Sequence, residues 1–262
     1  MLFRRVFLCA LLVGVCAGLI HSAVQRLQVV PIIVAAEVFE SALKPAQQPH
    51  DHAPGSALHT HEADEWKPQD GFGRTFWTVI ANLLASTGFA LVLVPAVAAW
   101  DRTRQPGRSA STRTGLLWGV AGWVCVYAWP ALGLRPELPG EASAPLAERQ
   151  IWWVLATGSA VAGLSTLCLV RSWWRVLGLA LMALPFIIGA PHGDGAPFGK
   201  FATDAAAQME ALKAQFLVAT AIASSVHWLV LGALSGGAVR RWLRPLLAPP
   251  APAAATSAKL TS

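Results

Sequence analysis

Six stretches of this chain are apolar over lengths close to what a bilayer requires, and arginines bracket most of them. A hydrocarbon core takes about 20 apolar residues per helix, with roughly 17 to 25 tolerated. The stretches are residues 6–24, 76–99, 115–132, 151–170, 175–190 and 212–236. The third and fifth are the shortest. The fifth also carries Pro185, which can kink a helix or end it early. Only 13% of the residues are charged, against roughly 25% in a soluble domain. The predicted fold is therefore all-α: a polytopic transmembrane helical bundle over residues 1–247, with six spans, or five if one is re-entrant.

The formal charge of +6 could suggest a nucleic-acid partner. The arginines instead lie beside apolar segments, where membrane topology uses them, so no nucleic acid is expected. With the N-terminus inside and six spans, 12 of the 20 Lys and Arg residues fall on the inner side, in short dense loops. Of the other eight, four (Arg26, Lys44, Lys67 and Arg74) are diluted in one long outer loop. This pattern puts both termini in the cytoplasm and the first loop outside.

The first stretch is read as a span rather than a cleaved signal. Arg4 and Arg5 precede it, but it is long for a signal and no small-x-small site ends it. A lipoprotein reading at Cys16 fails because Val15 precedes it. Residues 27–43 are apolar but carry Glu37 and Glu40, which share one face of a helix. This segment is expected to be an interfacial or re-entrant helix. Residues 44–67, rich in Pro, His and Ala, are expected to be disordered without metal, as is the Ala/Pro-rich tail 248–262. The four cysteines (Cys9, Cys16, Cys125 and Cys168) sit inside apolar runs without metal-site or redox-pair spacing. Several of the twelve tryptophans, including Trp152, Trp153, Trp173, Trp174 and Trp242, fall near span ends, as interfacial anchors do.

The chemistry concentrates in the first loop, which reads His50-Asp51-His52 … His59-Thr60-His61-Glu62-Ala63-Asp64-Glu65. Each His-x-His pair puts two imidazoles on one side of an extended chain, and the acids attract a divalent cation. A flexible loop imposes no single geometry, so it suits metal capture better than metal choice. The plainer reading is a solvated linker with accidental histidines. His192 and Asp194, after Pro191 at the outer end of the fifth stretch, form either a metal vestibule or an ordinary turn. His21, Asn82 and His227 lie inside apolar stretches. Ionisable groups there usually face a bundle interior or a water-filled cavity, though histidine also serves as an interhelical hydrogen-bonding group. Glu37 and Glu40 join this set if their helix folds back on the bundle. Gly115, Gly119 and Gly122, and likewise Gly14 and Gly18, have the spacing that lets helices approach closely.

Enzyme motifs are missing. Gly193–Lys200 ends in Gly199-Lys200 like a phosphate loop, but Asp194 and Phe201 stand where Gly and Ser/Thr are required. There is no His-Glu-x-x-His and no Gly-x-Ser-x-Gly. Neither a nucleotide site nor an enzyme activity is expected, and no resident cofactor is called for.

Several runs together resemble the CbtA family of bacterial probable cobalt transporter subunits. They are Val30-Pro31 leading to Ala36-Glu37-Val38-Phe39-Glu40, the His/acid loop, Trp66-Lys67-Pro68-Gln69-Asp70-Gly71 with Arg74 and Asn82, and the Gly115–Gly122 run. Arg149-Gln150-Ile151-Trp152-Trp153 and Gly189-Ala190-Pro191-His192 add to them. The most specific is Pro130-Ala131-Leu132-Gly133-Leu134-Arg135-Pro136-Glu137-Leu138-Pro139-Gly140. The resemblance implies uptake of Co²⁺ across the inner membrane to feed cobalamin synthesis, about five spans, and a small single-span partner with its own histidine motif, CbtB. The family pattern also has histidines where this chain has Tyr127-Ala128-Trp129 and Phe186. Ni²⁺ and Zn²⁺ compete at any loose histidine site. The rival reading is a membrane metal sensor or assembly scaffold that binds metal without moving it. The candidate metal-contacting residues are His50, His52, His59, His61, Glu37, Glu40, His192, Asp194, His21 and His227.

Overall fold

The computed structural model describes residues 2–43, 71–103 and 111–247. The His50, His52, His59 and His61 expectation and the tail lie outside them. Among the described residues the chain is helical with no strand. Its helices are α1 (Leu2–Leu43), α2 (Phe72–Arg102), α3 (Thr112–Trp123, continued through Val124–Ala128 and Trp129–Ala131), α4 (Leu146–Leu169), α5 (Arg175–Ile188) and α6 (Thr203–Leu247). Four of these, α1, α2, α4 and α6, are long and apolar enough to cross a membrane. The all-helical, membrane-spanning expectation is met at that level, and the count of six is not. α5 has only 14 residues, about 21 Å of helix.

Residues 27–43 were expected as a separate interfacial or re-entrant helix. Instead they continue α1, which runs unbroken for 42 residues. At about 1.5 Å per residue this is about 63 Å, twice a hydrocarbon core of about 30 Å. Pro31 does not turn the chain, because a π-helical turn at Gln25–Val29 absorbs the disruption. Proline lacks an N–H and its ring collides with the carbonyl four residues back. Here the ladder lengthens just before it, so that Val30 N–H reaches the Gln25 carbonyl. The same device recurs at Val124–Ala128 ahead of Pro130 and at Val239–Leu243 ahead of Pro245.

The helices pack as antiparallel pairs, α1 with α2, α3 with α6, and α4 with α5, and α1 also lies along α6. Glycine makes the seams. A Cβ at Gly14 would stand 2.4 Å from the Thr87 backbone, and one at Gly163 would stand 2.5 Å from the Gly178 carbonyl. Gly115 and Gly119 face Gly232 and Gly236 so closely that a Cβ at Gly115 would stand 2.1 Å from the Gly232 carbonyl. Without a hydrophobic effect between helices in lipid, such close backbone approach is what holds them.

Two apolar cores follow. One, near Leu2 and Leu247, is built from α1, α2 and α6 around Ala10, Val13, Val94, Val97, Leu231, Val239 and Leu243. The other lies at the opposite end, where the 132–145 and 189–202 loops meet α1 and α6. It contains Val29, Ala36, Leu138, Phe198, Phe201, Met209 and Phe216. A polar cavity, lined in part by Pro136 of the 132–145 loop, sits toward this loop end.

Candidate functional site

A cavity of about 320 Å³ lies between α1, α2, α3 and α6. Its polar lining comes from all four helices: His21 and Gln25, Asn82 and Ser86, Tyr127, and Thr220, Ser224 and His227. The spacing of Thr220, Ser224 and His227 places them on one face of α6. Gln25 and Tyr127 lie within π-helical turns, which often mark functional sites because they re-aim side chains. Pro136 of the 132–145 loop lines the loop end of the cavity.

The two intramembrane histidines meet there. The His21 and His227 rings have centroids 4.7 Å apart at a 50° tilt. His227 is only 6% exposed, with Phe89 and Trp228 edge-on beside it. Both Nδ1 atoms are buried without a hydrogen-bond partner among the described residues. An unpaired buried nitrogen is costly, so this arrangement suits a group that accepts its lone pair.

Around the pair, hydrogen bonds fix the amides. Ser22 Oγ donates to the Gly18 carbonyl at 2.8 Å. Asn82 Nδ2 donates to Ser22 Oγ at 3.1 Å and to Gln25 Oε1 at 2.7 Å. Across the cavity, the Tyr127 and Thr220 hydroxyls lie 3.2 Å apart.

Beyond the cavity, toward the loop end, several charges are paired. Arg74 clamps Glu37 with two bonds, of 2.7 and 2.6 Å. Buried Lys213 ion-pairs with Glu141 and donates to the Pro136 carbonyl at 2.7 Å. Arg149 meets Glu137 at 2.5 Å. The Pro-Glu-Leu-Pro-Gly run is thus tied to α6 through Lys213 and to α4 through Arg149. Gly140 takes a positive φ of 85° there, which glycine adopts without strain.

Of the other candidates, Glu40 follows Glu37 by one turn of α1, and His192 and Asp194 are exposed on the 189–202 loop. None of these lines the cavity. Among the described residues no three His, Cys, Asp or Glu side chains gather to hold a metal. Any ion at the histidine pair must therefore take its remaining ligands from amides, hydroxyls or water. Gln25, Ser86, Tyr127, Thr220 and Ser224 are cavity residues not singled out from sequence. The regular spacing of polar residues in the last apolar run could have exposed Thr220 and Ser224. Phe186 packs edge-on against Trp129, at 5.4 Å, and against Trp152, so that side of the bundle is aromatic.

No curated protein and no solved structure matches this chain. A family model described as "Probable cobalt transporter subunit (CbtA)" matches residues 3–240, most of the length. This multi-pass membrane protein, with its polar cavity inside an apolar bundle, belongs to the CbtA family of probable cobalt transporter subunits.

Proposed function

We propose that the chain is the conduit of a Co²⁺ uptake system in the bacterial inner membrane, feeding cobalamin synthesis. In this reading all six helices cross or enter the bilayer, with α5 doing so at reduced length. Both termini are cytoplasmic and the loop end is periplasmic. The loop bearing His50, His52, His59 and His61 gathers metal. Glu37, Glu40, His192 and Asp194 receive it at the outer surface, and His21 and His227 pass it through the bundle. Ni²⁺ and Zn²⁺ are its chemical competitors. A small single-span subunit with a histidine motif completes the system, consistent with the family's description as a subunit. No catalytic role is assigned.

The observation that carries this reading is the pair of histidines facing one polar cavity within an apolar bundle. Ionisable groups at such depth are rare and mark substrate pathways. On the terminal side of the pair, α1, α2 and α6 share a packed apolar core. A scaffold would need no such cavity.

The test is accumulation of radiolabelled cobalt in cells expressing the chain with its partner. Replacing His192 and His227 together is expected to reduce uptake to the background of cells lacking the chain. Unchanged uptake would sink the path. Proteoliposomes that bind cobalt but never accumulate it would instead favour the sensor or scaffold.

A further inference from the structure

We propose that His21 Nδ1, His227 Nδ1 and Asn82 Oδ1 form one intramembrane site that holds a single partly hydrated divalent transition-metal ion. The proposal rests on the transport reading for its purpose, but binding is measurable without transport.

The two nitrogens are the first argument. Metal–imidazole bonds are about 2.0–2.1 Å long, so two imidazoles on one ion have centroids on the order of 5 Å apart. The rings of His21 and His227 stand at 4.7 Å. Among the described residues both Nδ1 atoms are buried and unpartnered. A neutral imidazole protonated on Nε2 has its lone pair on Nδ1. A metal-ligating histidine binds through such a lone pair and commonly donates its far N–H to a carbonyl or carboxylate.

The oxygen follows from proton counting. Ser22 has one hydroxyl hydrogen, and it goes to the Gly18 carbonyl. The contact between Ser22 and Asn82 therefore needs a donor on Asn82. The second amide hydrogen of Asn82 goes to Gln25. Both donors are spent, which fixes the orientation of the amide. Its Oδ1 belongs to a residue lining the same cavity as the histidines.

The ligand class follows from the donors. Imidazole selects transition metals over Mg²⁺ and Ca²⁺, and without thiolate the site does not favour Cu⁺. No acidic group among the described residues lines this cavity, so these residues set no carboxylate against the ion. A neutral site in a low-dielectric setting binds a divalent ion weakly and leaves it water in the open positions. Conduction asks for this: binding favourable enough to enter and weak enough to leave.

The test uses the full chain, purified without a histidine tag and carrying alanine at His50, His52, His59, His61 and His192. Of the seven histidines only His21 and His227 then remain. Equilibrium dialysis with Co²⁺ should give one ion per chain, and cobalt-edge X-ray absorption should show two imidazole nitrogens on it. No bound ion, or fewer than two imidazoles, overturns the site, and neither readout depends on a substitution in the buried cavity. In the same background Asn82→Ala should weaken Co²⁺ binding about tenfold, whereas Asn82→Asp should bind at least as tightly as Asn82. Aspartate keeps the oxygen but cannot donate to Ser22 and Gln25. If Asn82 only braces the helices, both variants fail alike, and that result removes it as a ligand. Binding that persists in a chain unable to support uptake would remove the transport reading and leave the site. Uptake that persists in a variant with no bound ion would do the reverse.

Discussion

Lys213 is buried to 9% exposure, yet it is charged and sits where the 132–145 loop meets α6. Its ammonium is paired with Glu141 and donates to the Pro136 carbonyl. Removing one member of such a pair strands the other in a poorly solvated place, typically at a cost of about 3–5 kcal/mol. Lys213→Ala should lower the stability of the purified protein by about 3 kcal/mol, measured as a fall in detergent-solubilised unfolding midpoint. Lys200→Ala, at an exposed residue, should leave the midpoint unchanged. The pairing was not legible in the sequence, because Glu141 and Lys213 lie far apart and only the fold joins them. His21 and His227 were individually legible, since an ionisable residue in an apolar run stands out. Their meeting was not, because it depends on the antiparallel register of α1 and α6. Glu37 has a partner that the sequence did not announce. On sequence it is an acid in search of a metal, whereas the structure gives it the Arg74 guanidinium.

At the scale of the element, the glycine rows carry the most consequence. The spacing of Gly115, Gly119 and Gly122 announced a close helix contact but not its partner, which is the Gly232 and Gly236 row of α6. A Cβ at Gly232 would stand 2.4 Å from the Gly115 carbonyl, against rigid backbone. Gly232→Ala is therefore expected to part α3 from α6, seen as loss of monodisperse protein on size exclusion. Gly237→Ala meets nothing within 4 Å and should be neutral or stabilising by up to about 1 kcal/mol. Equal behaviour of the two variants would refute this account of the seam. The prolines show a further limit of reading from sequence. Pro31 lies inside the segment that the sequence set apart as a separate helix, yet α1 runs through it. Membrane helices tolerate proline when local rewinding satisfies the freed backbone, and a π-helical turn ahead of Pro31 does so.

For the whole molecule, the arginine distribution and the apolar runs made the membrane class plain. They did not settle how many times the chain crosses, because α5 is short and α1 overshoots any bilayer. A reporter active only outside the cytoplasm, fused within residues 44–67, should be active. The same reporter fused after Leu247 should be silent, while a cytoplasmic reporter there should be active. A silent cytoplasmic reporter and an active external one after Leu247 would mean an odd number of crossings.

The glycine seams have a mechanical meaning as well. Helices joined backbone to backbone have few side chains to rearrange, so α3 with α6 and α1 with α2 each behave as a plank. The contact between the planks is made by side chains, and His21 and His227 stand on opposite sides of it. The two histidines therefore straddle the line between the planks, and a cation shared between them would act as a rivet across it.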